Sequence, residues 1–369
     1  MSTILKRNTS MSSRREFALD GIDEDLILVG LTDRNELEAI VVTLSGYVFL
    51  IDLATGKSFE IGKLSFEPFT QARRQRIFSA GLQFHSFRDY VAIVQVYGQS
   101  GTVFHLSNPA YSKHLDRQNY HPDVCKFPVA FVDRGAETWL IHATDWNRLD
   151  ITRLEGDELL TDRVVSCETN ENYFDYFHCG LSVAPDSKAF VSNGWHWHPF
   201  GQITFYSIDE FLKNFEMAHV DLCLTDAGDS PDAMYDLGWD RPLCWIDSRN
   251  IAVGYSRGEG WYGKRTLFQS EILIYDVESN RIDDRIRFDG FGVCVDGEVT
   301  GDLFFDELMG HFICLNEKTG LQITDISGRA IRSEPGLTGW KYNSLHRLLY
   351  RVDEKEKRIV MTSIDMDRT

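Results

Sequence analysis

"LSVAPDSKAFVS" (181–192) and "ITFYSIDEF" (203–211) are the two stretches whose reading decides the fold. In the first, two runs rich in aliphatic, aromatic and small residues flank "PDSK". Asp bonds local backbone and Pro presets φ, so the segment reads as two short strands joined by a tight turn. The second stretch is a third strand that ends in a polar–aliphatic pair, Ser207-Ile208, and runs into "IDEFLKNFEMA" (208–218), the best helical pattern in the chain and a short one. Between them lies "NGWHWHPFGQ" (193–202), with two tryptophans, two histidines, a proline and two glycines.

Both elements recur. The strand ending in a polar–aliphatic pair and a small turn is found as "FLIDLATGK" (49–57), "LIYDVESNR" (273–281) and "QITDISGR" (322–329). The Asp-bearing turn between two apolar strands is found as "VGLTDRNELEAIVV" (29–42), "AFVDRGAETWLI" (130–141) and "CWIDSRNIAVGY" (244–255). Each unit therefore reads strand, Asp-turn, strand, loop, strand, turn, outer strand. The units fall at about 22–63, 77–118, 127–164, 175–216, 237–287, 296–334 and 338–366. A period of roughly fifty residues is that of four-stranded propeller blades. The seventh unit ends after three strands, at "RIVMTSI", so "SRREFAL" (13–19) is expected to supply the fourth and close the ring.

The pairing of "LSVAPDSKAFVS" with "ITFYSIDEF" resembles a WD40-type repeat, in which an "SPDG"-like turn precedes a strand ending in Trp-Asp. The repeats are degenerate: Ile51-Asp52, Tyr275-Asp276 and Thr324-Asp325 stand where Trp-Asp is usual, and no Gly-His dipeptide opens the units. The expected fold is all-β, a seven-bladed WD40-like β-propeller of four-stranded antiparallel blades closed by an N-terminal strand. Residues 1–12 are expected to be a flexible tail and 13–369 a single domain.

Composition narrows the function classes. With 369 residues, 43% hydrophobic and 25% charged, the chain is globular. The net charge of −18 repels phosphate backbones and argues against nucleic-acid binding. No apolar run follows the basic residues of "MSTILKRNTSMSSRREF", and none approaches the roughly 18 residues of a membrane helix. The seven cysteines are odd in number and widely spaced, with no CxxC pair, which fits a reducing compartment. The expectation is a cytoplasmic protein with no membrane association.

In WD40-like propellers the loop between a blade's second and third strands shares a face with the links between blades. On that resemblance "WHWHPF", "SRGEGWYGKRTLFQ" (256–269), "CETNENYFDYF" (167–177) and "DAGDSPDAMYDLGWDRP" (226–242) gather around blades four and five. They bring Trp195, His196, Trp197, His198, Trp239, Asp240, Arg241, Trp261, Tyr262, Lys264 and Arg265 into one partner-binding surface. Aromatics with arginine on loops are the composition of binding hot spots. The competing reading packs the aromatics onto the blade ends as structure. Within the hairpin, alternation sets Trp195 and Trp197 on one side and His196 and His198 on the other, with the histidines expected to face the partner.

Catalytic readings find little support. His196 and His198 lack a third and fourth ligand in pattern, so no metal is assigned. "GYSRG" (254–258) matches GxSxG formally, but a glycine-rich run rather than a helix follows Ser256. "GKRT" lacks the upstream glycine of a P-loop, and no cofactor is assigned. The alternative kept is a propeller hydrolase, lactonase- or phosphoesterase-like, with a channel metal held by residues such as Asp145, Asn147, Asn193 and Asp240. The preferred reading is a non-catalytic binding module for a protein partner.

Overall fold

The computed structural model describes residues 14–19, 21–72, 77–79, 81–169, 171–197, 200–222, 239–258, 268–293, 299–353 and 356–364. The expected tail at 1–12 lies outside these residues, as do His198 and the stretch that holds Trp261, Tyr262, Lys264 and Arg265.

Seven four-stranded antiparallel sheets form the ring. Six are simple meanders, opened in chain order by Leu26–Leu31, Leu82–Phe87, Val129–Arg134, Phe177–Val183, Leu243–Trp245 and Asp302–Asp306. The seventh holds Lys341–Asn343, Leu348–Asp353 and Arg358–Ser363, and its outer strand is Arg15–Ala18 from the other end of the chain. Arg15 pairs with Met361 and Ala18 with Arg358, which is the closure expected from the sequence.

The second and third strands are buried on both faces, which explains their continuous aliphatic runs. Tyr90–Gln95 is buried throughout and Glu38–Thr43 nearly so. The side chains of adjacent blades interleave into seven cores, one per junction. Leu19, Leu26, Val41, Leu348 and Met361 share the core that joins blade seven to blade one. An eighth cluster, of Cys125, Phe177, Cys179 and Trp195, belongs to no such junction.

The turns follow local chemistry. Asp247 Oδ1 accepts the Arg249 and Asn250 amides, each at 2.7 Å, and Asp186 accepts the Lys188 amide at 3.1 Å. Asp52, Asp276 and Asp325, at the ends of third strands, accept amides two or more residues on and so shape the turn into the outer strand. Asp247→Ala is expected to cost about 1 kcal/mol and to leave partner binding intact, because each lost bond only orders its own turn. Urea denaturation beside a binding assay checks both; binding lost at full stability would reassign the residue.

Three boundaries differ from the sequence reading. Residues 77–79 pair with 70–72 as a separate hairpin, and blade two begins at Leu82. Gly292–Val293 and Val299–Thr300 likewise form a small hairpin before blade six. In blade four a helix, Ile208–Asn214, and a short 3-10 turn, Phe215–Ala218, are inserted before the outer strand Val220–Leu222. Ile208 and Phe211 pack into the core between blades three and four, so the helix substitutes for sheet at that edge.

The insertion carries Glu216 inward. Arg163 meets Glu216 on one side and Asp150 on the other, with all three side chains almost fully buried. Burial pushes the Asp150 carboxyl up, but hydrogen bonding from Thr144 and the charge of Arg163 outweigh it and hold it below the usual range. Burial wins at Glu216, whose carboxyl is raised despite Arg163. This network staples blade three to the link that follows it and to blade four.

Candidate functional site

A four-stranded meander has two ends. The first and third turns of each blade lie at one end; the second turn and the link to the next blade lie at the other. Among the described residues, that topology puts 117–128, 146–147, 160–169, 171–176, 197 and 239–242 on one face of the ring.

"NGWHWHPFGQ" is a hairpin end on that face. Trp195 pairs with Gly201 and His196 with Phe200 across the strands Ala189–His196 and Phe200–Ser207. Gly194 is required by close approach rather than by the turn: a Cβ there would lie 2.0 Å from the Phe177 carbonyl and 2.6 Å from the Tyr176 hydroxyl. The Tyr176 hydroxyl accepts the Gly194 amide at 2.7 Å and donates to the Ser192 carbonyl at 2.8 Å.

The alternation holds and decides what each ring does. Trp195 is 4% exposed and stacks on Phe177 at 4.0 Å, with Trp239 on its other side at 5.2 Å. Trp197, on the same side, meets Trp195 edge-on at 5.3 Å and stays 38% exposed. His196 turns the other way, half-buried against Tyr176 and Phe174, its Nδ1 donating to the Asp175 carbonyl at 2.9 Å. The expectation that the histidines face outward is corrected for His196: among the described residues of this run, Trp197 is the exposed ring. Trp197 lies just past the last strand pair of the hairpin, His196 with Phe200.

Other links extend the cluster toward blade three. Tyr120, 43% exposed, lies 5.2 Å from Trp146, 5.9 Å from Phe177 and 6.2 Å from Trp197. His121 meets Trp197 edge-on at 5.7 Å, and Tyr173 meets Trp146 at 6.4 Å. Sequence reasoning passed over Tyr120, His121, Trp146 and Tyr173. The signal was available: all four lie in links or second turns, the positions by which the tryptophans were chosen.

Trp239, Asp240 and Arg241 hold the chain's own loops. Trp239 Nε1 donates to the Val124 carbonyl at 2.9 Å. Asp240, in the left-handed region at φ 58°, accepts the Lys126 amide at 3.1 Å and gives its own amide to the Asn193 carbonyl at 3.3 Å. Asp is one of the few non-glycine residues that enter this region readily, and here its carboxylate is held by distant backbone amides. Arg241 is buried, with its guanidinium over Tyr255.

Of the residues considered for a channel metal, Asn147 donates to the Phe174 carbonyl at 2.9 Å and Asn193 to the Arg241 carbonyl at 2.8 Å. Among the described residues no three His, Cys, Asp or Glu side chains gather closely enough to hold a metal ion. Ser256 does not sit on an elbow: it pairs with Ser270 inside the continuous strand Asn250–Gly258. His178, fully buried beside Ser192 Oγ at 3.1 Å, has its imidazole pushed well below its ordinary range by burial and by the charges of Arg163, His219 and His196. It is a core residue.

These features define a seven-bladed β-propeller with an aromatic cluster on its linker face. Its fold is that of WD40 domains. It is similar to the WD40 domain of Neurospora crassa Pan2, with a TM-score of 0.53 and 10% identity over 93% of this chain and 90% of that one. It is similar also to U3-55K, with a TM-score of 0.53 and 10% identity over 95% and 98% of the two chains. No protein-family model matches the sequence, and no curated protein is similar to it in sequence.

Proposed function

We propose that the protein is a non-catalytic WD40-type interaction module, and that a protein partner docks on the linker face over blades three and four. The observation that carries this reading is an open aromatic surface on a rigid base: Tyr120 and Trp197 remain exposed while touching Phe177 and Trp195, which are buried. Rings held by packing lose little freedom on binding, and aromatic anchors at the centre of a contact supply most of its energy. The sequence reading centred the surface on blades four and five; the described rings favour the junction of three and four. Cytoplasmic residence, read from cysteine usage, belongs to the same proposal.

The test is retention of native-host proteins on immobilised variants. Trp197→Ala and Tyr120→Ala are expected to lose a partner that the parent protein retains, with the melting temperature nearly unchanged. Leu308→Ala and Leu345→Ala change exposed residues in first-to-second-strand turns, on the opposite face, and are expected to retain it. The opposite pattern would move the docking surface to the other end of the ring.

A further inference from the structure

The aromatic cluster has carboxylates at its margin. Asp145 precedes Trp146 and accepts its amide at 2.7 Å. Asp175 is exposed and follows Phe174 in the link that carries Tyr173. Desolvation raises the Tyr173 hydroxyl, and Asp175, Cys167, Tyr120 and Asp145 add to it. Burial raises the Asp145 carboxyl too, with the Trp146 amide and the charge of Arg148 pulling against it.

Among the described residues, three nearby arginines already have contacts of their own. Arg117 lies over Phe127 and donates to the carbonyls of Gly98, Cys125 and Lys126. Arg148 and Arg163 are bound to Asp150. Among the described residues, no lysine or arginine stacks on Tyr120, Trp146, Tyr173 or Trp197. Open π faces beside carboxylates attract a guanidinium twice over: the ring quadrupole draws the cation, and the carboxylate accepts its N–H groups. The guanidinium suits this better than an ammonium because it is planar, stacks, and sheds water more readily.

We propose that this surface recognises an arginine-bearing basic segment of a partner protein, with the guanidinium laid against Tyr120 and Trp197 and paired with Asp145 or Asp175. The inference rests on the docking reading above and adds the chemistry of the partner. A chain of net charge −18 draws basic segments in general, so the test must separate the site from the overall field.

The purified full-length chain is titrated with a fluorescein-labelled peptide of alternating arginine and glycine, read by anisotropy, with glutamate–glycine and lysine–glycine peptides beside it. The arginine peptide is expected to bind, the lysine peptide more weakly and the glutamate peptide not at all. Asp145→Asn with Asp175→Asn keeps one acceptor oxygen on each side chain and removes the charges; it is expected to weaken binding on the order of tenfold, as is Trp197→Ala. Glu278→Gln with Glu307→Gln, on the opposite face, removes the same net charge and is expected to change affinity less than twofold. Equal loss in the two charge pairs, or no binding of the arginine peptide, would overturn the inference. A host partner that is lost with Trp197→Ala, kept by the Asn pair and not displaced by excess arginine peptide would also overturn it, while leaving the docking face standing. A partner kept by Trp197→Ala and Tyr120→Ala would instead remove the docking reading and this inference with it.

Discussion

Deleting residues 1–20 is expected to lower stability by several kcal/mol and to make the protein prone to association. The strand Arg15–Ala18 completes blade seven, and its removal strips the ladder to Arg358–Ser363. Leu19 is fully buried in the core between blades seven and one, with its amide bonded to the Lys357 carbonyl at 2.8 Å, and Phe17 packs against the same core. Burial of one large aliphatic side chain is worth about 1.5–3 kcal/mol, and the partly buried phenyl and the ladder bonds add to it. Arg15 also reaches Glu36 in blade one at 3.1 Å, but that exposed pair contributes little. The new edge is the greater liability, because a bare strand with unpaired amides is a template for a second copy. Urea denaturation and size-exclusion chromatography of the truncated chain check both effects. Leu19→Ala in the full-length chain, expected to cost about 2–5 kcal/mol, separates core loss from edge exposure. An unchanged midpoint in the truncation would mean the ring does not depend on this closure.

The propeller was legible because its cause is local and repeated. A strand buried on both faces has to be a short aliphatic run, and a tight reversal has to carry Asp, Gly, Asn or Pro; these signals stand at nearly every blade of the chain. Closure by 13–19 followed from counting strands, since a three-stranded last blade leaves an edge. What failed to show were insertions that obey no period. The pattern at 208–218 announced a helix but not that Val220–Leu222 would follow it, because a three-residue outer strand leaves almost no hydrophobic trace. The site was half legible for a similar reason. Loop position told which aromatics share a face, but whether a ring is a base or a contact depends on what lies over it, and nothing in the spelling of "WHWH" distinguishes Trp195, roofed by Trp239, from Trp197 two residues on. Asp240 and Asn193 illustrate the other limit: residues that resemble ligands in the sequence are spent on backbone groups that only the folded chain brings near.

That difference between the two indoles sets the second large effect. Trp195→Ala is expected to destabilise the protein by about 3–5 kcal/mol, the range for deleting a buried large aromatic side chain. The ring is sandwiched between Phe177 and Trp239, and Trp239 is tied by its Nε1 to the Val124 carbonyl, so the surroundings cannot collapse into the space without moving two links. One term works against the parent residue. Among the described residues the buried Trp195 Nε1 finds no hydrogen-bond acceptor, and an orphaned donor costs about 1–3 kcal/mol. Trp195→Phe removes that donor while keeping an aromatic ring in the stack, so its net cost is expected to stay below about 1 kcal/mol. Trp197→Ala removes a ring that is 38% exposed and touches the cluster at its edges; it is expected to cost less than about 1 kcal/mol while abolishing partner retention. Urea midpoints of the three variants are the measurement. Equal losses at 195 and 197 would make Trp197 part of the packed base and leave the proposed surface without its central contact. A large loss in Trp195→Phe would mean the stack depends on indole size, with the unpaired N–H too small a cost to matter.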